Sequence, residues 1–135
     1  MDYPVNRTDA QWRESLSFET YQVLRLGATE RPFTGELLSE DRPGTYQCSG
    51  CGSALFDSAT KFDSHCGWPS YFAPADAAAI EYLEDRSHGM LRTEVRCANC
   101  GGHLGHLFED APQTPTGLRY CINSAALAFA PEESG

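Results

Sequence analysis

No run of apolar residues in this 135-residue chain approaches a membrane span, and Met1-Asp2-Tyr3-Pro4 has neither the basic segment nor the apolar core of an export signal. The expectation is a cytoplasmic protein with no membrane role. Basic residues are scarce: 10 Lys and Arg stand against 19 Asp and Glu, for a formal net charge of −9. Such a surface repels phosphate backbones, which argues against general nucleic-acid binding. Internal repeats and low-complexity segments are absent. What remains, 41% hydrophobic and 11% aromatic, fits one globular domain over residues 1–135 with a core of its own.

Cysteine, by contrast, is plentiful. Six in a chain without an export signal are expected to be thiols, metal ligands or redox catalysts rather than static disulfides. Four fall into two C-x-x-C pairs and two stand alone.

Local signals divide the chain into a helical brace at 8–28, a β region at 29–130 and a frayed tail at 131–135. Thr8-Asp9-Ala10-Gln11 has the form of a capping box, which predicts a short helix through Trp12 and Leu16. Ser17 caps a second helix that Gly27 stops, with Tyr21, Val23 and Leu24 facing the core. Trp12, Phe18 and Tyr21 read as packing residues. Beyond Thr29 the texture turns to short β-like runs. Arg42-Pro43-Gly44 is a turn leading into a strand from Thr45, and Asp63 to Tyr71 reads as a loop. Ala75 to Ala79 reads as a turn of helix and Ser87-His88-Gly89 as a hairpin turn. Leu91, Thr93 and Val95 alternate with Arg92, Glu94 and Arg96, a half-buried strand. Asp110 to Gly117 is a loop into the last predicted strand.

Cys48-Ser49-Gly50-Cys51-Gly52 and Cys97-Ala98-Asn99-Cys100-Gly101 are two C-x-x-C-G knuckles. Two sulfurs three positions apart on a tight turn reach one ion, and two such turns supply the four thiolates of a structural Zn²⁺ site. An iron centre would use the same ligands. The long insert between the knuckles means that the ion would clamp two hairpins. A thioredoxin-type redox pair needs a βαβ setting that neither knuckle has.

The final strand, Leu118 to Ser124, carries the chemistry. A period of two puts Leu118, Tyr120 and Ile122 on one face and Arg119, Cys121 and Asn123 on the other. A guanidinium beside a thiol favours the thiolate, the nucleophilic form. Cys66 lies in the loop Ser64-His65-Cys66-Gly67-Trp68-Pro69-Ser70. A loop thiol and a strand thiol form a resolving and attacking pair, or else are two unrelated free thiols. His103 and His106, three apart among glycines, are suited to protonating an oxygen leaving group near neutral pH. Trp68 offers an apolar wall or plain packing. Together these residues suggest thiolate attack, departure of a protonated oxygen, and a disulfide that closes the cycle.

Several motifs then carry a resemblance: Thr29-Glu30-Arg31-Pro32-Phe33-Thr34-Gly35, the knuckles, Thr60-Lys61-Phe62-Asp63, Cys66-Gly67-Trp68-Pro69-Ser70, Glu84-Asp85-Arg86-Ser87-His88-Gly89-Met90, Gly102-His103-Leu104-Gly105-His106 and Gly117 through Ser124. From about Thr8 to Phe129 the chain resembles the peptide-methionine (R)-S-oxide reductases, the MsrB family. The resemblance implies a mainly β fold of two antiparallel sheets, a β-tent, with short N-terminal helices and a four-cysteine zinc clamp. It implies Cys121 as the nucleophile on the sulfoxide sulfur and Cys66 as the resolving thiol, the resulting disulfide being reduced by thioredoxin. It implies Trp68 as the receiver of the ε-methyl group, and His103, His106 and Asn123 as hydrogen-bonding the sulfoxide oxygen. Arg119 would support the thiolate, while Cys48, Cys51, Cys97 and Cys100 would hold one structural zinc. A monomer is the default expectation. Departures from the family pattern are His65, where many relatives carry Gly, Phe18 in place of a common Pro, and Asp110-Ala111-Pro112, which lacks a common Gly. The rival readings are a non-enzymatic zinc-ribbon binding module and a different thiol oxidoreductase.

Overall fold

The capping signals at the start of the chain are realised in the computed structural model, which describes residues 3–132. Helix α1 (Asp9–Ser15) opens with Thr8 Oγ1 accepting the Gln11 N–H at 3.2 Å while the Gln11 side chain accepts the Thr8 N–H at 2.9 Å. Helix α2 (Phe18–Leu26) is capped by Ser17 and ended by Gly27 at φ 75°, a left-handed residue that glycine adopts without strain. Trp12, Tyr21, Val23 and Leu24 are buried. Phe18, expected to pack, is 76% exposed. At 3.6 residues per turn it lies opposite the direction shared by Val23 and Leu24, so the helix cannot bury all three.

Nine strands follow among the described residues. Strands β1 (Gly44–Cys48), β2 (Ala54–Asp57) and β9 (Leu127–Pro131) form a three-stranded antiparallel sheet in the order β2-β1-β9. Strands β3 (Lys61–Phe62), β4 (Ser70–Tyr71), β5 (Ile80–Asp85), β6 (Arg92–Cys97), β7 (His103–Ala111) and β8 (Gly117–Ile122) form a second antiparallel sheet in the order β3-β4-β8-β7-β6-β5. The protein is therefore mainly β, with two antiparallel sheets and two short helices. No helix among the described residues is long and apolar enough to cross a membrane.

An aromatic cluster joins the sheets. Phe56 stacks on Tyr71 with ring centroids 4.4 Å apart, Tyr46 meets Tyr71 edge-on at 5.2 Å, and Phe56 meets Tyr120 edge-on at 5.7 Å. Offset and edge contacts of this kind stabilise a core beyond the area they bury. Leu55, Val95, Leu104 and Ile122 complete its interior.

Several expectations need correction. The segment read as loop from Asp63 to Tyr71 ends in a strand, β4, whose Ser70 and Tyr71 pair with Cys121 and Tyr120. Leu91 is 67% exposed and precedes the strand it was expected to open. The predicted strand through Ser124 stops at Ile122, and Ser124–Ala126 is one turn of 3-10 helix. In the tail read as frayed, Pro131 pairs with Gly44 and the Glu132 N–H donates to the Pro43 carbonyl at 2.8 Å. Positions 133–135 of that tail lie outside the described residues.

Candidate active site and metal centre

The two knuckles are built alike. In each, the first cysteine closes a strand, and its carbonyl accepts an N–H from the glycine after the second: Gly52 to Cys48 and Gly101 to Cys97, both at 2.8 Å. Those glycines stand at φ 79° and 76°, where a Cβ would be strained. The four sulfurs lie within 4.8 Å of one another, with Cys48 Sγ 3.7 Å from Cys100 Sγ and Cys51 Sγ 3.6 Å from Cys97 Sγ. The Gly50 N–H and the Asn99 side-chain amide point at sulfurs, as donors to thiolates do. The cluster is shaped to hold a metal ion. Because Cys48 ends β1 and Cys97 ends β6, it ties one sheet to the other. The N-terminal segment covers it, since Arg25 Nη1 donates to the Cys100 carbonyl and the Val5 N–H to that of Asn99.

Cys121 sits on β8, between β4 and β7. Its register partner across β7 is His106, and across β4 it is Ser70. The loop that ends in β4 brings Cys66 Sγ to 3.7 Å from Cys121 Sγ, close enough to share a proton. The Cys121 thiol is the largest influence holding Cys66 down, to about 4; burial opposes it, and the Ser64 and Ser70 hydroxyls, at 3.0 and 3.4 Å, assist. Cys121 is pushed up by Cys66 and by burial, against the pull of Arg119. The two sulfurs are in contact and titrate as a pair, Cys66 drawn downward and Cys121 upward. Arg119 is held in place by a bidentate pair with Asp110, both contacts 2.9 Å, and its guanidinium lies 4.3 Å above the Phe108 ring.

Cys66, Trp68, His106, Arg119, Cys121 and Asn123 line one cleft of about 200 Å³. Gly105 also faces it, at a position where any Cβ would collide with the Cys121 carbonyl oxygen. The Trp68 indole N–H donates to the Glu30 carbonyl at 3.0 Å, which fixes the ring as one wall. Asn123 is buried; its amide donates to the Leu104 carbonyl at 3.0 Å and accepts the Glu30 N–H at 2.9 Å, leaving one N–H for a ligand. His103 does not line the cleft. It is 6% exposed and lies edge-on behind His106 with centroids 5.6 Å apart, and its Nε2 has no protein partner. His65 stands at φ 61°, a left-handed position that glycine adopts without cost.

Sequence reasoning missed the carboxylates behind the imidazoles. Asp85 Oδ2 lies 2.7 Å from His106 Nε2, and Glu94 Oε2 lies 2.7 Å from His103 Nδ1. A carboxylate on one ring nitrogen fixes ring orientation and tautomer. Burial pushes His106 below its ordinary value, with Asp85 opposing. The available signal was Glu94 alternating with apolar residues on β6, which suggested only a solvated face.

Burial alone would raise Glu94, but His103 and Arg96 bring it down from 4.5 to about 2. A depressed carboxylate contributes stability that is present above its unfolded value and lost as pH falls towards the folded one. Wild type should therefore be more stable than Glu94→Gln near neutrality, and the gap should close between about pH 4.5 and pH 2. Melting curves of both proteins across that window check this, and a gap that does not change would count against it.

The family model described as the SelR domain matches residues 16–131. A peptide methionine sulfoxide reductase MsrB of Leifsonia xyli subsp. xyli (strain CTCB07) is 55% identical over 132 residues, which cover 98% of this chain and 95% of that protein. Proteins of the same name from Agrobacterium fabrum (strain C58 / ATCC 33970) and Pseudomonas putida (strain W619) are 56% and 57% identical. Those matches cover 94% and 96% of this chain, and 93% and 96% of the two relatives.

Proposed function

This chain belongs to the MsrB family of peptide methionine sulfoxide reductases, and from that membership we propose how its cleft reduces the R epimer of methionine sulfoxide. The observation that supports the reading best is the placement of Cys121 between His106 and Cys66 in one small cleft walled by Trp68.

The ε-methyl of the sulfoxide rests on the Trp68 indole, which presents one lone-pair face of the sulfur and so selects the epimer. As Cys121 attacks the sulfoxide sulfur, its proton passes to Cys66. Two electrons leave the Cys121 sulfur, and the S–O bond of the substrate breaks. The oxygen takes a proton through the His106 and His103 pair with water and is transferred to the Cys121 sulfur. As it bonds there, the bond that the attack formed between Cys121 and the substrate sulfur breaks, leaving a sulfenic acid on Cys121 and releasing methionine. A sulfoxide oxygen leaves poorly until protonated, so this donor is required. Asn123 offers its remaining N–H to the same oxygen, and Arg119 supports the negative charge on Cys121. Cys66 then attacks the Cys121 sulfur, its proton goes to the departing hydroxide, and water leaves as the disulfide forms. The two sulfurs already touch, so closure needs little movement. A dithiol of thioredoxin type restores both thiols.

The metal is proposed to be one zinc ion. A tetrahedral shell with Zn–S near 2.3 Å has edges of about 3.8 Å, close to the separations between the four cysteines. Zinc would supply cross-linking and no chemistry, because four thiolates leave no open position. The enzyme is taken to act as a monomer in the cytoplasm, where such a dithiol reductant is at hand. A pure zinc-ribbon module would leave the cleft and its paired thiols without a use.

Both epimers of a methionine sulfoxide amide, offered separately in single turnover, test the reading. Wild type should release methionine from R and none from S, and Cys66→Ser should do the same more slowly, because it lacks the thiol that takes the Cys121 proton. With thioredoxin and its reductase only wild type should turn over repeatedly, Cys66→Ser falling at least about a hundredfold behind. Release from neither epimer would overturn the function, and repeated turnover by Cys66→Ser would overturn the resolving role.

A further inference from the structure

Glu30 touches no reacting atom in the mechanism above, yet it is 8% exposed, and one of its carboxylate oxygens, Oε2, is buried without a partner. Burying a carboxylate in this way is unfavourable and calls for a compensating role. Burial pushes its titration upward, opposed by the N–H groups of Ala125 and Ser124.

The hydrogen bonds of this residue converge on the cleft from three directions. Its Oε1 accepts the Ala125 N–H at 2.8 Å, in the turn just beyond the strand of Cys121. Its own N–H donates to Asn123 Oδ1 at 2.9 Å, and its carbonyl accepts the Trp68 indole N–H at 3.0 Å. The side chain thus pins the backbone, and the backbone orients the indole and the amide. Space for the carboxylate exists only because residue 35 is glycine, where a Cβ would come within 2.6 Å of Oε2. Thr20 Oγ1 also holds the Ala125 carbonyl at 2.9 Å, so the turn that anchors Glu30 is itself fixed to α2.

We propose that Glu30 is a positioning residue of the sulfoxide cleft: by holding the Thr29–Pro32 segment against the turn after Cys121, it sets the Trp68 wall and the Asn123 amide relative to the attacking sulfur. This rests on the reaction assigned above. Removing the anchor loosens the wall that receives the methyl group, so binding suffers more than the chemistry of bound substrate.

The test compares Glu30→Ala, Glu30→Gln and Glu30→Asp with wild type, using the R epimer of a methionine sulfoxide amide. Glu30→Ala should raise KM by at least about tenfold while kcat changes by less than about threefold. Glu30→Gln keeps an acceptor for the Ala125 N–H and should restore KM to within about threefold. Glu30→Asp keeps the charge but falls one methylene short, and should behave like Ala. A second readout needs no activity: exchange of the Trp68 indole proton with solvent, followed by NMR with the Trp12 indole as internal control. It should quicken in Ala and Asp and stay slow in Gln. Unchanged KM and exchange in Glu30→Ala would overturn the proposal, as would equal impairment of Gln and Ala. Should Ala fail to fold, the contrast between Gln and Asp decides. If wild type released no methionine, the assigned reaction would fall, while the exchange measurement would still decide whether Glu30 anchors the indole.

Discussion

Cys121→Ser should release no measurable methionine from either epimer, a loss of at least about a thousandfold, while its melting temperature stays close to wild type. The substitution exchanges a sulfur for an oxygen in the middle of β8, between His106 and Ser70, and leaves both ladders intact. What disappears is a nucleophile that also accepts the substrate oxygen. A serine hydroxyl stays protonated near neutral pH and has no counterpart to the sulfenic acid. Cys66 loses its Cys121 partner in the variant but keeps Ser64 and Ser70, so a second thiol remains in the cleft. The experiment therefore separates the presence of a thiol from the presence of the thiol that attacks. Single-turnover release monitored by chromatography decides it. Retention of even a tenth of the wild-type rate would assign the attack to Cys66.

The second large effect concerns the metal. Removing the proposed zinc with a strong chelator, or replacing Cys97 by Ala, should abolish the cooperative melting transition or lower it by more than about 20 °C. Structural zinc binding of about 10–16 kcal/mol is as large as the whole stability of an ordinary domain, about 5–15 kcal/mol, and binding free energy is folding free energy where the site exists only when folded. Here the ion would join the end of β1 to the end of β6, in different sheets. The brace would loosen with it, because the Gly50 and Gly102 backbones pack against Leu24, with Trp12 also on Gly50. Circular dichroism melts with and without chelator, alongside metal analysis expected to give one zinc per chain, check the claim. An unchanged melting temperature in metal-free protein would sink it.

What could be read from the sequence was whatever is decided locally. The caps of α1 and α2 lie within four residues of what they cap, so Thr8, Ser17 and Gly27 announced both helices. The knuckles are equally local, and the period of two placed Arg119, Cys121 and Asn123 on the face that lines the cleft. What stayed hidden depends on partners far along the chain. Ser70 and Tyr71 are a strand because β3 and β8 flank them, the latter fifty residues on. The match of His106 to Cys121 is a register between strands, which no spacing within either strand reveals. Glu94 looked solvated because alternation cannot say that a polar face meets a buried imidazole. Phe18 was assigned inward on hydrophobicity alone, which says little about a single side chain, and Leu91 on an alternation that begins one residue before the strand does.

The last strand of the three-stranded sheet, β9, comes from residues 127–131 and lies against β1, which begins at residue 44. During synthesis both cysteine knuckles, complete by residue 100, leave the ribosome ahead of the strand of Cys121 and the strand that closes the smaller sheet. The nascent chain can therefore be cross-linked by its ion while its first sheet still shows an open edge along β1, an edge that invites other chains to pair with it. Newly made protein is most exposed to misassembly in that interval, and residues 117–131 bring the strand of Cys121 and the strand that covers the open edge in one stretch.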